Sequence, residues 1–336
     1  MDYTSQDLVG FVFSLPWFGR EDFDLIRFPR STFGRLAKDV GYLSTNSAGG
    51  MIRFRAATGG IGIEIDMAPS RMYDKFSRAG QCGFDLYVDG KYYHTFVPPR
   101  DGYFISYVDM DASTHDFTIY LPTYSTFTLK SLGVDDTIDQ PIPFSIPKPV
   151  VVYGSSITQG AFSSRPGLAY PAILGRRLDA EVVNLGFSGN GKCEPEVAEL
   201  MAQIDASCYL MDAGGNLTSP EEEGIVQERY PAFLETLREA HPATPIICNN
   251  VQSILAGAND TPENRRLCDK VRQVIKDAYE ARVAAGDENI YYTDGMDIIC
   301  PDDDDCTADG THANDLGFHR YVEVLEPLLK KILEVA

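Results

Sequence analysis

The chain changes character near residue 145, and this shift constrains the fold more than any other feature. Before it, short segments rich in Phe, Tyr, Ile, Val and Thr are cut by Gly, Asp and Pro: residues 50–59 (GMIRFRAATG), 60–68 (GIGIEIDMA), 83–97 (GFDLYVDGKYYHTFV), 103–110 (YFISYVDM), 116–124 (DFTIYLPTY) and 125–134 (STFTLKSLGV). Strands of this length with turn residues between them predict an antiparallel β-sandwich, jelly-roll-like, over residues 1–140. Asp89-Gly90 is a hairpin signal inside the third segment. Helical periodicity is almost absent from this half.

Residues 141–149 (PIPFSIPKP) hold four prolines in nine positions. Proline fixes φ and removes a backbone donor, so this stretch reads as a semi-extended linker. Beyond it, apolar strands alternate with helices. Strands are expected at 149–154, 181–187, 207–213, 244–251 and 289–295. Helices are expected at 169–180, at 194–204, from Ser219-Pro220 to Ala240, from Thr261-Pro262 to Gly286, and over 317–333. Such alternation predicts a three-layer α/β/α domain over 150–336, flavodoxin-like, with a parallel sheet. In that architecture ligands bind at the carboxyl ends of the strands.

The length of 336 residues suits two domains at ~150 residues each. A formal net charge of -20 disfavours nucleic acid and anionic lipid, because both recruit Lys and Arg. Neutral substrates such as sugars are untouched by that argument. No stretch approaches the ~18 apolar residues of a membrane span, and the first residues lack the basic and apolar regions of a secretion signal. A cytoplasmic location and a possible homo-oligomer are therefore expectations. The seven cysteines show no zinc-type spacing, and several lie in apolar runs, which suits a reducing compartment. Cys300 and Cys306 are the one pair near enough in sequence to bridge a loop. The run Asp302–Asp305 lacks the glycine and glutamate of a calcium loop and reads as a solvated acidic loop.

Four short motifs fall at the strand ends. Gly154-Ser155-Ser156-Ile157-Thr158-Gln159-Gly160 follows the first strand of the second half and exposes a serine at a strand-to-helix turn. The N–H of Ser156 lies there at the helix's positive end, where it can meet a developing oxyanion. Asn184–Gly191 (NLGFSGNG) ends the second strand, where Gly189 allows close approach of a backbone N–H. Asp212-Ala213-Gly214-Gly215-Asn216 ends the third, and Asn216 offers a side-chain donor. Asp309-Gly310-Thr311-His312 precedes the last helix, with a carboxylate three residues before an imidazole. Each motif alone is an ordinary turn; four at one sheet edge point to acyl-transfer chemistry.

Taken in this order, the motifs resemble the SGNH (GDSL-like) hydrolase superfamily across the whole second half. The resemblance implies Ser156 as nucleophile, His312 as base, Asp309 as its orienter, and Ser156, Gly189 and Asn216 as oxyanion donors. Where the family usually reads Gly-Asp-Ser, this chain has Ser155 in place of the aspartate, leaving Ser155 as a rival nucleophile out of register. Gly83-Phe84-Asp85-Leu86-Tyr87 matches the GxDLY motif of an N-terminal β-domain fused to such hydrolases, and Tyr42-Leu43-Ser44 and Met51-Ile52-Arg53-Phe54 are similar to it as well. That domain either buttresses the catalytic one or walls its cleft with residues such as Trp17, Tyr92 and Tyr93.

The resemblance implies a serine esterase that removes small acyl groups, acetyl above all, from a small-molecule or oligosaccharide ester, with no metal or organic cofactor. An acyltransferase using the same acyl-enzyme and an alcohol acceptor is the alternative. A non-catalytic carbohydrate-binding protein is a third reading from another class.

Overall fold

The computed structural model describes residues 1–222, 224–251, 257–300 and 302–335. Contacts divide the chain into two compact units, Met1–Ser145 with Ser163–Leu168, and Ile146–Phe162 with Ala169–Ala336. The divide falls inside the proline-rich stretch. The assignment of residues 163–168 to the first unit is not visible in local sequence.

Period-two patterning in the first unit gives β1 (Asp2–Tyr3), β2 (Val12–Phe13), β3 (Met51–Ala57), β4 (Gly60–Met67), β5 (Phe84–Val88), β6 (Lys91–Phe96), β7 (Gly102–Asp109), β8 (Thr114–Tyr120), β9 (Phe127–Val134) and β10 (Gln140–Pro141). They form two antiparallel sheets, one in the order β1-β9-β4-β7 and one in the order β10-β3-β8-β5-β6, with β2 also paired to β3. Ile61, Ile63 and Ile65 from the first sheet share one core with Phe54, Phe84, Leu86 and Phe117 from the second, as a sandwich requires. Each such side chain contributes roughly 1.5–3 kcal/mol by leaving water. Between β5 and β6, Asp89 (φ 49°) and Gly90 (φ 74°) are both left-handed, the signature of a type I′ hairpin turn. Two helices, α1 (Lys38–Ser44) and α2 (Arg78–Cys82), are too short for a helical repeat to show in the sequence. Trp17 is buried edge-on against Phe28 (5.3 Å) within this unit's own packing.

The Gly-Phe-Asp-Leu-Tyr motif has a physical explanation within this unit. A Cβ on Gly83 would sit 2.2 Å from the carbonyl oxygen of Ala79, so the turn from α2 into β5 admits only glycine. Phe84 and Leu86 enter the core, while Asp85 and Tyr87 face residues 163–168. The fully buried Asp85 carboxylate accepts from Arg165 Nη1 (2.8 Å), the Gly167 N–H (2.8 Å) and Thr95 Oγ1 (2.7 Å). Arg165 also donates to the Tyr87 hydroxyl (2.7 Å) and lies 4.0 Å over the Tyr92 ring. The motif is thus a clamp on a remote segment of chain.

Among the described residues the second unit holds five parallel strands, β11 (Val150–Gly154), β12 (Val182–Gly186), β13 (Cys208–Asp212), β14 (Ile246–Asn249) and β15 (Ile290–Thr293), in the order β12-β11-β13-β14-β15. Its helices are α3 (Ser156–Gln159), α4 (Tyr170–Leu178), α5 (Pro195–Met201), α6 (Ile225–Ala240), α7 (Pro262–Ala284), α8 (Gly295–Ile298) and α9 (Asp315–Leu333). Alternate strand residues pack to opposite sides. Val150, Val152 and Leu210 join Ile173, Phe318 and Leu325 of α4 and α9, whereas Tyr153 stacks on Phe233 of α6 at 4.8 Å. This strand order is the flavodoxin-like doubly wound arrangement, and its switch point lies between β11 and β13.

One helix begins later than its sequence suggests. Ser219 and Pro220 were expected as N-cap and first residue of α6, yet they lead into a single 3₁₀ turn and α6 starts at Ile225, with Glu223 outside the described residues. The Ser219 hydroxyl donates to Glu222 (2.9 Å), inside the 3₁₀ turn that precedes α6. Thr261, by contrast, caps α7 as expected, accepting from the Asn264 N–H (3.2 Å). All seven cysteines are free, Cys300 and Cys306 included. No helix among the described residues is long and apolar enough to cross a membrane.

Candidate active site

The carboxyl ends of β11, β12 and β13 and the loop before α9 carry the four motifs. Ser156 is the first residue of α3, a helix of one turn closed by Gly160 in the left-handed region. So short a helix adds little dipole, and any anion stabilisation at Ser156 must come from individual N–H groups. Ser155 is the N-cap: its Oγ accepts from the Ile157 N–H (3.3 Å). Serine is a strong N-cap residue, so Ser155 has a structural role of its own here.

His312 faces Ser156, with Nε2 3.0 Å from Oγ. On its other side Nδ1 lies 3.0 Å from Asp309 Oδ2 and 3.2 Å from Oδ1. Asp309 Oδ1 also accepts the backbone N–H groups of His312 (2.9 Å) and Thr311 (3.1 Å), so one carboxylate shapes the loop and aims the ring. Burial pushes the Asp309 pKa up, but those N–H groups and the imidazole outweigh it and hold the carboxyl below its ordinary value. An ionised Asp309 keeps the proton on Nδ1 and leaves Nε2 free to accept from Ser156.

Gly189 lies in a turn at φ 69°, a conformation suited to glycine, and its N–H has no partner among the described residues. The Asn216 carbonyl accepts from the Gly191 N–H (3.0 Å), which fixes the amide and leaves its NH2 group for the pocket that Asn216 lines. That pocket holds about 100 Å³ and is bounded by Ser155, Ser156, Asn216, Val251, Cys268 and His312, among others. The structure therefore brings Ser156, His312 and Asp309 into one hydrogen-bonded chain and sets Asn216 beside them. Gly189 is not among the pocket's lining residues.

Two residues of this site escaped the sequence reading. In the sequence Asp212 is simply part of a turn, yet its buried carboxylate accepts from Thr158 Oγ1, Tyr170 OH and Asn249 Nδ2, each at 2.7 Å. It ties the turn of the nucleophile motif to β13, β14 and α4. Burial pushes its pKa up to about 6 against the pull of those three donors. Phe162 lies 5.3 Å from the His312 ring and holds φ 61°, a left-handed conformation that is an outlier for a bulky side chain. Nothing in local composition marks either role. Asp302–Asp305 lie largely in solvent, and among the described residues no group of His, Cys, Asp and Glu could hold a metal ion.

Residues 147–330 match the family described as GDSL-like lipase/acylhydrolase, and residues 15–139 match the one described as the N-terminus of an SGNH-hydrolase-type esterase. A Bacteroides ovatus protein described as a GDSL-like lipase is 31% identical, with a TM-score of 0.87 over 100% of this chain and 98% of its own. The salicylyl-acyltransferase of a tetracycline biosynthetic pathway shares the fold at 19% identity and a TM-score of 0.76, over 93% of this chain and 91% of its own. So does a family two carbohydrate esterase from Clostridium thermocellum solved with cellohexaose, at 14% identity and a TM-score of 0.64, over 85% of this chain and 93% of its own. No curated protein matches the sequence. The chain belongs to the GDSL-like lipase/acylhydrolase family and carries, ahead of that domain, the N-terminal module of SGNH-type esterases.

Proposed function

We propose that the protein is a serine esterase that removes small acyl groups, acetyl foremost, from carbohydrate esters. The observation that carries the reading is the Ser156–His312–Asp309 chain at the edge of a pocket of about 100 Å³. Pockets for drug-sized ligands run to ~300–1,000 Å³, so this one favours a short acyl group over a long chain. The net charge of -20 favours a neutral substrate over a polyanion. Carbohydrate esterases among the fold neighbours are the lead for the sugar.

In this mechanism Ser156 Oγ attacks the acyl carbonyl carbon as His312 Nε2 takes its proton. The carbonyl oxygen becomes an oxyanion, met by the N–H groups of Ser156 and Gly189 and by the Asn216 NH2. Collapse breaks the ester C–O bond, and His312 returns the proton to the leaving alcohol. Water then attacks the acyl-enzyme with His312 again as base, releasing the carboxylic acid and Ser156. Asp309 holds the ring and offsets its positive charge in both halves.

An acyltransferase is the second reading, favoured by the higher TM-score of the salicylyl-acyltransferase, 0.76, against 0.64 for the Clostridium esterase. A p-nitrophenyl ester series from acetate to octanoate, run beside a panel of acetylated glycans, tests both. An esterase for small acyl groups gives the highest kcat/KM at acetate, releases acetate from a glycan, and loses both in Ser156→Ala. Turnover that rises with chain length, or that needs an alcohol acceptor, overturns it.

A further inference from the structure

Tyr103, Ile105 and Tyr107 stand on the outward face of β7 at 57%, 64% and 50% exposure, three large side chains in a row where a solvated sheet normally carries polar ones. β7 is the edge of its sheet, and beside this stripe a depression of about 400 Å³ opens over the strands next to it. Its floor is built by register. Asp2, Gly133, Gly62 and Tyr107 lie in one row across β1, β9, β4 and β7, so two adjacent strands present bare backbone between a carboxylate and an aromatic ring. The Tyr107 phenol lies over Gly60, where a Cβ would come within 2.0 Å of its hydroxyl oxygen. In the next row Glu64 is held by the hydroxyls of Tyr103 (3.0 Å) and Ser131 (3.2 Å), and at the far side Asp135 accepts from the Gly59 N–H (2.8 Å).

We propose that this depression is a second, non-catalytic binding site for a neutral saccharide. Aromatic faces are electron-rich and pack against the C–H face of a pyranose ring. Oriented carboxylates and serine hydroxyls take up sugar O–H groups, while a floor of glycine backbone leaves room for the ring. Among the described residues no Lys or Arg lines the depression, which disfavours an anionic ligand. A second copy of the same face is disfavoured too, because Asp2, Glu64 and Asp135 would meet their own images across a two-fold interface. The site would hold the protein on a polysaccharide while esters are cleaved elsewhere. Its existence does not rest on the esterase reading.

The test uses the full chain carrying Ser156→Ala, so that no ester is consumed, and measures affinity electrophoresis in gels of soluble β-glucan, xylan and mannan. Polygalacturonate and spermidine serve as the anionic and cationic probes. Retardation by at least one neutral polysaccharide is expected. Tyr107→Ala and, independently, Gly133→Val weaken it about tenfold, or ~1.4 kcal/mol. Valine suits a strand at position 133, where the atoms nearest its Cβ would be the flexible tip of Asp2 (3.2 Å) and the Gly62 backbone (3.8 Å), so the fold is expected to survive while the floor is filled. In the otherwise unaltered enzyme, Tyr107→Ala leaves p-nitrophenyl acetate turnover unchanged. No retardation by a neutral polysaccharide, retardation that neither variant moves, or binding to spermidine alone overturns the proposal. A dimer dispersed by Tyr107→Ala without saccharide binding also overturns it. Loss of esterase turnover with binding intact counts against the proposed catalytic function only.

Discussion

Replacing Asp212 by asparagine removes a buried charge while keeping its shape, and the structure sets the size of the effect. The Asp212 carboxylate has three neutral donors at 2.7 Å and no cation beside it among the described residues, and burial lifts its pKa from 3.8 to about 6. As pH rises, the unfolded chain gives up this proton first, so Asp212 lowers stability progressively between pH 3.8 and about 6. A shift of this size amounts to on the order of 3 kcal/mol. Asp212→Asn abolishes that slope, and at neutral pH relief of the buried charge is offset by ~1–3 kcal/mol, because an amide cannot accept from all three donors. Urea unfolding of both proteins at several pH values measures the difference. Helical circular dichroism is the suitable probe, since the long helices belong to the second unit and the single tryptophan, Trp17, to the first. The wild type gains on the variant by roughly 3 kcal/mol at the acid end relative to pH 7. A pH-independent difference would refute the reasoning about Asp212.

Other positions give equally specific outcomes. Asn216→Ala removes one side-chain donor beside Ser156 and is expected to lower kcat by about 10²–10³-fold in steady-state assays, with KM nearly unchanged. Asp85→Ala strips the partner from the half-buried Arg165 and from the Gly167 N–H, and costs the first unit roughly 3–5 kcal/mol, read by Trp17 fluorescence during denaturation. His115 sits between Asp111 (2.9 Å) and Asp89 (2.7 Å), whose hydrogen bonds raise its pKa above the usual 6.5. Its stabilising contribution is full below pH 6.5 and fades as pH climbs through the raised value. His115→Gln should therefore flatten the Tm of the first unit across pH 6–8, and an unaltered profile would refute the assignment.

Much of the architecture was legible because period and punctuation agree. The alternation in 60–67 and the Asp89-Gly90 turn specify a hairpin-rich sandwich, and all-apolar runs such as Val150–Val152 specify strands covered on both faces. Ser156, Asp309 and His312 were legible because each lies in a short motif at a strand or helix end. Asp212 was not, because its partners Thr158, Tyr170 and Asn249 are scattered over some ninety residues and meet only after folding. The same holds for Asp85: its motif was recognisable, but its grip on Arg165 and Gly167, some eighty residues away, is a tertiary fact. Ser219-Pro220 opens a 3₁₀ turn at Pro220–Glu222 rather than the helix itself, which begins at Ile225, a distinction of a few residues that local sequence does not carry.

The central claim is that Ser156, activated by His312, is the nucleophile. Treating the protein with a fluorophosphonate ester and sequencing the labelled peptide by fragmentation mass spectrometry separates it from the adjacent Ser155. One adduct is expected, on Ser156, formed at a rate that collapses in His312→Ala and absent in Ser156→Ala. An adduct on Ser155, or ester turnover that persists in Ser156→Ala, would contradict it.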